Sequence, residues 1–386
     1  MNSPRICRPI RISTILFSLL GVGLLILFTI RAWNAGHNDF IAYFNAGVRA
    51  AHGESPYALE ETPYRYLPLT AFFFSPLALF PLRVARVVFL AANFIAVLLI
   101  YREIGKRVGA LALGLLLILF FRFHNHDFQN AQVNPILLIL FFAWWKYRRS
   151  HLPAAAFAFS LFASFKLVPF AFGLPLLLLG KKKELAWMAF WTLTLNLLPV
   201  LFYDHGFLIF RDWYDQAKLI AYPAVMLSNI QSLQSALWWG IEGHLDAHLF
   251  ATLTHVLQLV LLLAVVACAP RKDGTEHGLQ RREDWVIAST LAVTVLIAPM
   301  AWKHNYLQFL PLAYLWFRED PGFVRSGTRK LYATALLGMV LIPSLVSNWN
   351  RGFSDRMYLM VWTGLVVIFM GLANARRNAQ MFPIEK

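Results

Sequence analysis

Asp39, in Gly36-His37-Asn38-Asp39-Phe40, lies just beyond a long apolar run. A carboxylate at such a membrane boundary is placed to act as a general base toward an acceptor held in the interface. Partial burial among apolar groups would raise its pKa toward the working range. The same position also suits an exposed loop acid, or the N-cap of a helix that starts at Phe40. Arg65 stands between aromatics in Pro63-Tyr64-Arg65-Tyr66-Leu67-Pro68. A guanidinium fork there would bind phosphate or anchor to lipid headgroups. His124, Asn125, His126, Asp127 and Gln129 form a polar cluster, followed by Asn130, Gln132 and Asn134. Two histidines and an aspartate admit a metal reading. Hydrogen bonding to a sugar or phosphate, or a plain polar loop, are the other readings. Lys166 is the one charge in the apolar stretch from Leu152 to Leu179. Charge at membrane depth is expensive and often functional, although a lysine can also snorkel to the interface. Trp302-Lys303-His304-Asn305-Tyr306 follows Pro299 between two apolar runs. Lys303 and His304 could hold an anionic group there, and His304 could move a proton.

These groups must be positioned by helices in a bilayer. Of the 386 residues, 59% are hydrophobic and only 14% are Asp, Glu, Lys or Arg, and the mean hydropathy is +0.55. Soluble domains carry roughly 25% charge, and a soluble core of this length cannot hide so much apolar surface, whereas lipid accepts it. Apolar stretches fall near 12–30, 87–101, 108–122, 132–145, 153–165, 167–180, 185–203, 247–268, 285–300, 305–317, 331–347 and 357–373. The expectation is an all-α polytopic membrane protein with about twelve crossings, forming one domain over 1–386. Several stretches are short of the roughly 20 residues a span needs. The pair 153–165 and 167–180 reads as one broken helix or two.

Net charge is +15, but the basic residues cluster between apolar runs, as cytoplasmic loops facing anionic lipid do. No nucleic-acid partner is expected. With both termini inside, alternate loops gather 23 of the 35 Lys and Arg, which favours an even number of crossings. The outer side then holds a long first loop, about 31–86, and a second interfacial region, about 204–246. Within the first, the Leu67–Leu82 stretch carries Pro68, Pro76 and Pro81 and reads as interfacial or re-entrant rather than spanning. The inner loops are short and basic, without a catalytic grouping, so the polar candidates above converge on the outer face. Cys7 and Cys268 suggest neither a disulfide framework nor a zinc site.

Several motifs carry a resemblance. Asp39-Phe40 with Tyr43, then Ala46-Gly47, Gly53, Pro56-Tyr57 and Tyr66-x-Pro68 resembles the opening D-F-x-x-Y-x-x-A-G, G-x-x-P-Y, Y-P-P signature of the polyprenol-phosphate-mannose-dependent glycosyltransferases of family eighty-seven. Asn130-Ala131-Gln132-Val133-Asn134 resembles its G-Q-V-N, and Phe165-Lys166-Leu167-Val168-Pro169 its I-K-L-x-P. Gln231-Ser232-Leu233 resembles its N-Q-S-L, and Ala298 to Tyr306 its S-P-x-S-W-x-H-H-Y. Leu67, Ala131 and Asn305 depart from the pattern, standing for a proline, a glycine and a histidine.

The resemblance implies a GT-C type multi-helix bundle in the bacterial plasma membrane, with its site on outward loops. It implies a polyprenyl-phosphate sugar donor, a glycolipid or glycan acceptor, and an inverting single displacement. Asp39 would be the base, and His304, Lys303 and Arg65 would face the donor phosphate. Tyr43, Tyr66, Gln132, Asn134, Lys166 and Gln231 lie in the matching motifs and join His126 as candidate substrate-binding residues. No D-x-D motif for a metal-bound nucleotide occurs in an outer loop, so no cofactor or metal is expected. The competing expectation is a transporter or flippase of lipid-linked sugars. Such proteins often show inverted repeats, and none is visible here.

Overall fold

The computed structural model describes residues 39–58, 63–225, 230–241, 246–270, 275–299, 301–319 and 358–381, with single helical positions at Gly23, Ile26, Ile30 and Trp33. The expected crossing at 331–347 lies outside the described residues, as does nearly all of 12–30. Every element within them is helical.

The chain enters through α1 (Phe40–Ala51), α2 (Pro68–Phe74) and a 3-10 turn at Ser75–Leu79. The prolines of 67–82 explain the short pieces: Pro68 opens α2, and Pro76 lies within the 3-10 turn, where a missing N–H is tolerated. α3 (Leu82–Gly105) follows as a full-length apolar helix, then α4 (Ala110–Gln129), α5 (Asn134–Tyr147) and α6 (Leu152–Phe165). α6 stops at Lys166, which is extended at φ −140°, ψ 120°. Pro169 accounts for the stop, since its ring would meet the carbonyl of residue 165 in a continued helix. The chain resumes as a 3-10 turn (Val168–Phe172) and the short α7 (Gly173–Leu178). The doubtful pair is therefore two helical pieces with Lys166 at the break.

α8 (Lys182–Leu197) and α9 (Ile209–Val225) lead to α10 (Leu233–Ile241), α11 (Ala247–Cys268) and α12 (Glu276–Ile297). A 3-10 segment (Lys303–Phe309) runs into α13 (Leu310–Glu319), and α14 (Leu359–Met381) closes the described chain. α12 is the axis of the bundle. Its residues from Glu283 to Ile297 are all buried, and it meets α11, α13 and α14. α5 packs on α6 and α6 on α8.

Among the described residues, four helical segments are long and apolar enough to cross a membrane: Leu82–Gly105, Lys182–Phe202, His248–Cys268 and Leu359–Arg376. The outward Leu, Ile and Phe side chains of these helices, such as Ile95, Leu193 and Leu259, are exposed, as lipid-facing positions are. The remaining helices are shorter or carry polar turns.

Two glycines of the N-terminal motif have steric reasons. A Cβ on Gly47 would stand 2.6 Å from the Phe74 backbone, so only glycine lets α1 pack this closely on α2. Gly53 turns the chain after α1 with φ +78°, a conformation glycine adopts without strain. Its carbonyl accepts the Asp204 amide at 2.8 Å, tying the segment after α1 to the one before α9.

Candidate active site

Six stretches of chain, distant in sequence, surround one cavity of about 260 Å³. Asp39, Ala42 and Tyr43 come from the start of α1, and Pro63 to Leu67 from the segment before α2. Gln132 and Ser164 to Leu167 supply the middle, and Ala298, Pro299, Trp302, His304 and Asn305 the far wall. Trp213 and Ala217 of α9 close one side.

Motif tyrosines hold the 63–68 segment in place. The Tyr57 hydroxyl donates to the Tyr66 carbonyl at 2.6 Å, and the Tyr203 hydroxyl to the Pro68 carbonyl at 2.8 Å. Tyr64 is bonded through its hydroxyl to Thr70. Trp213 Nε1 donates to the Arg65 carbonyl at 3.3 Å. Arg65 thus projects from a fixed backbone.

Asp39 occupies the N-cap position of α1, yet its side chain makes no cap hydrogen bond. Its Oδ2 accepts from Gln132 Nε2 instead. The Gln132 Oε1 accepts from the Tyr43 hydroxyl at 3.2 Å, and that hydroxyl meets Tyr66 Oη at 3.0 Å. Tyr43 and Gln132 are buried, so this relay fixes the carboxylate from behind and orients it toward the cavity. Burial pushes the Asp39 carboxyl above the ordinary carboxylate range, and the positive charge of Arg65 offsets part of that. Burial also lifts the Tyr66 hydroxyl to about 12, so it remains a donor at neutral pH.

Gln132 is aimed by the turn between α4 and α5. Ala131 there has φ +47° and is fully buried. Left-handed backbone costs an alanine roughly 1–2 kcal/mol. The position that departs from the glycine pattern is therefore the position where glycine would be relaxed. The Gln132 amide bonds the Asp127 carbonyl at 2.8 Å, which closes the turn.

Lys166 is held by neutral groups. Its Nζ donates to Asn134 Oδ1 at 2.6 Å and Asn305 Oδ1 at 2.8 Å. Asn134 Nδ2 in turn donates to Asp127 Oδ1 at 2.7 Å. His304 is buried beside them, within electrostatic reach of Lys166 and His126.

The structure brings Asp39, Tyr43, Arg65, Tyr66, Gln132, Lys166 and His304 to one cavity, with Asn134 one hydrogen bond behind it. His126 is half-buried on α4, one shell away from the cavity wall. Gln231 supports rather than lines: its amide donates to the Ala301 carbonyl at 2.7 Å, and its carbonyl accepts from Tyr306 Oη at 3.0 Å. Lys303 begins the 3-10 segment, and its side chain lies outside the described residues. The polar cluster at 124–129 is the last turns of α4, not a loop. Its members diverge: His124 Nε2 meets Tyr101 Oη at 3.1 Å, whereas Asp127 faces Asn134. Among the described residues, no three His, Cys, Asp or Glu side chains converge as metal ligands.

Sequence reasoning passed over Trp213, Tyr64 and the Asn305 contact to Lys166. Asn305 was visible only as a departure from a histidine. Trp213 had a weak signal as an aromatic in the second outer region.

A carboxylate fixed by Gln132, with Arg65, Lys166 and aromatic side chains lining the same cavity, suits proton removal from a hydroxyl beside a departing anion. A comparison with curated protein sequences gives no match. The family model described as Glycosyltransferase family 87 matches residues 64–300, more than half of the chain, beginning downstream of Asp39 and including Arg65, Gln132, Lys166 and Gln231. With its apolar spanning helices and this match, the chain belongs to glycosyltransferase family 87 and is a membrane glycosyltransferase.

Proposed function

We propose that this enzyme transfers a hexose, mannose before others, from a polyprenyl-phosphate donor to a glycolipid or polysaccharide hydroxyl on the outer face of a bacterial plasma membrane. In this reading the chain is a GT-C type bundle of about twelve crossings with both termini in the cytoplasm. The observation that carries it is a cavity whose one lining carboxylate among the described residues, Asp39, shares it with Arg65, Lys166 and His304.

The acceptor hydroxyl attacks the anomeric carbon as the bond from that carbon to the phosphate oxygen breaks. Asp39 takes the hydroxyl proton, and polyprenyl phosphate leaves with the bonding electrons. One carboxylate suits one displacement with inversion; a covalent route would need a second side chain as nucleophile. Arg65 and Lys166 supply positive charge, and His304 a ring N–H, toward the leaving phosphate, where fixed electrostatics contribute most in a water-poor site. Gln132, with Tyr43 and Tyr66 behind it, is a positioning residue for Asp39. The aromatic rim of Tyr66, Trp213 and Trp302 offers faces for a sugar ring. A donor anchored in the bilayer meets the cavity by diffusion in two dimensions, which lowers the entropic barrier to encounter.

The test supplies purified enzyme in membranes with mannose radiolabelled either on polyprenyl phosphate or on a nucleotide diphosphate. Label is expected to move only from the lipid. Transfer from the nucleotide sugar, with none from the lipid, contradicts the proposal.

A further inference from the structure

The largest cavity described lies at the other end of the helices that build the site. α5 places Asn134 in the Lys166 network and ends near Lys146, about 18 Å away at 1.5 Å per residue. There a groove of about 660 Å³ opens between the ends of α3, α5, α12 and α13.

Its walls change character along their depth. Leu99, Ile100, Ile139 and Phe142 form the part nearer the middle of the helices. Trp145, Tyr147 and Tyr314 form the next level, as aromatics do where a membrane meets water. Trp145 is fixed by an Nε1 bond to Asp284 Oδ1 at 2.9 Å. The mouth carries Arg107, Lys146, Arg149 and Arg318 against two lining carboxylates, Glu103 and Asp284.

The surplus charge is local. Arg318 lies 3.1 Å from Asp284, and Arg149 3.0 Å from Glu283. On the opposite lip, Glu103 is shared by Lys146 at 2.9 Å and by Lys106, while Arg107 is exposed and has no carboxylate partner among the described residues. Two lining cations, Arg107 and Lys146, thus stand with one lining carboxylate, itself also paired with Lys106, beside an apolar slot. An anion with an apolar tail complements this arrangement. A free anion would leave the slot empty, and a neutral lipid would leave the charge unmet.

We propose that this groove is a binding site for an anionic phospholipid of the leaflet at that end, with acyl chains against Leu99, Ile139 and Phe142 and the headgroup phosphate on Arg107 and Lys146. Basic pockets between membrane helices bind anionic headgroups in this way. The site is separate from the sugar-transfer cavity and independent of the reading given for it.

The test titrates the purified full chain, in neutral detergent, with phosphatidylglycerol, phosphatidylcholine and polyprenyl phosphate, counting bound lipid by native mass spectrometry. Phosphatidylglycerol is expected to bind in preference to phosphatidylcholine. The exposed double variant Arg107→Gln/Lys146→Gln is expected to weaken it by roughly 25-fold, about fivefold for each charge removed. Arg102→Gln, which removes an exposed charge from the same helix end outside the groove, is expected to leave it unchanged. The proposal is overturned if phosphatidylcholine binds equally, if the double variant binds phosphatidylglycerol normally, or if Arg102→Gln weakens it as much. Binding of polyprenyl phosphate without phosphatidylglycerol overturns it as well.

Discussion

The two ends of α5 treat buried charge in opposite ways. At its C-terminal end, Arg148 is 1% exposed and forms a two-pronged pair with Glu184, both contacts at 2.9 Å, and a third with Glu283 at 3.0 Å. Lys181 also pairs with Glu283, and Trp144 donates to Glu184 at 2.9 Å. At its N-terminal end, Lys166 meets two amide oxygens and Asp39 meets an amide nitrogen. Neither forms an ion pair among the described residues. Each charge of the Arg148 cluster is already neutralised by an opposite charge, so the cluster is complete and clamps α5, α8 and α12 together. Neutral amides hold the Lys166 and Asp39 charges in place without cancelling them, so those charges remain available to an anion or a proton.

The first way to break this contrast is Arg148→Met. Removing the cation strands Glu184, while Glu283 keeps Lys181 and Arg149, and a broken buried pair costs about 3–5 kcal/mol. The thermal midpoint should fall by far more than in any variant of the cavity site, with transfer per folded molecule unchanged. An unchanged midpoint would make the cluster ornamental. Next comes Lys166→Met, expected to lower transfer about 10²–10³-fold, as loss of one preorganised charge-stabilising donor does. If its only effect were on stability, Lys166 would belong with the Arg148 cluster.

Arg65→Gln sharpens the contrast further. Asp39 works as a base only when ionised, so transfer is lost as pH falls through its pKa, which burial places above the usual carboxylate value. Arg65 favours the ionised form. Its removal should therefore move the acid limb of the kcat/KM profile to higher pH, and a limb that stays in place or moves down contradicts the coupling. The smallest effect is expected for Ala131→Gly. Relief of the left-handed strain, less the added freedom of the unfolded chain, should stabilise by about 0.5–1 kcal/mol with activity retained, as read from thermal unfolding.

The cavity site was more legible in the sequence than the Arg148 cluster. Lys166 interrupts an apolar stretch, Arg65 stands between aromatics, and Asp39 and His304 lie in short polar segments beside apolar runs, and polar groups so placed stand out because lipid makes them costly. The break at Lys166 was legible through Pro169. Glu184, Glu283 and Asp284 gave no such signal. They sit in short basic segments that look like ordinary inner loops, and Arg148 reaches partners 36 and 135 residues away. Helix pairing of that range leaves no local pattern. Helix ends were blurred for a related reason. α3, α4 and α12 extend past their apolar stretches into polar turns, and α12 is buried on every side, so it has no polar stripe to mark its phase. Trp213 was hidden because α9 becomes part of the cavity only by folding back over Arg65.

The most direct test of the central claim is Asp39→Asn, measured for transfer of lipid-linked mannose and for thermal midpoint in the same preparation. Asparagine can still accept from Gln132 and removes a partly desolvated charge. The expected result is a loss of about 10²–10⁴ in rate, the usual contribution of a general base, with the midpoint held or raised. Transfer at the wild-type rate by a folded Asp39→Asn enzyme would contradict the account.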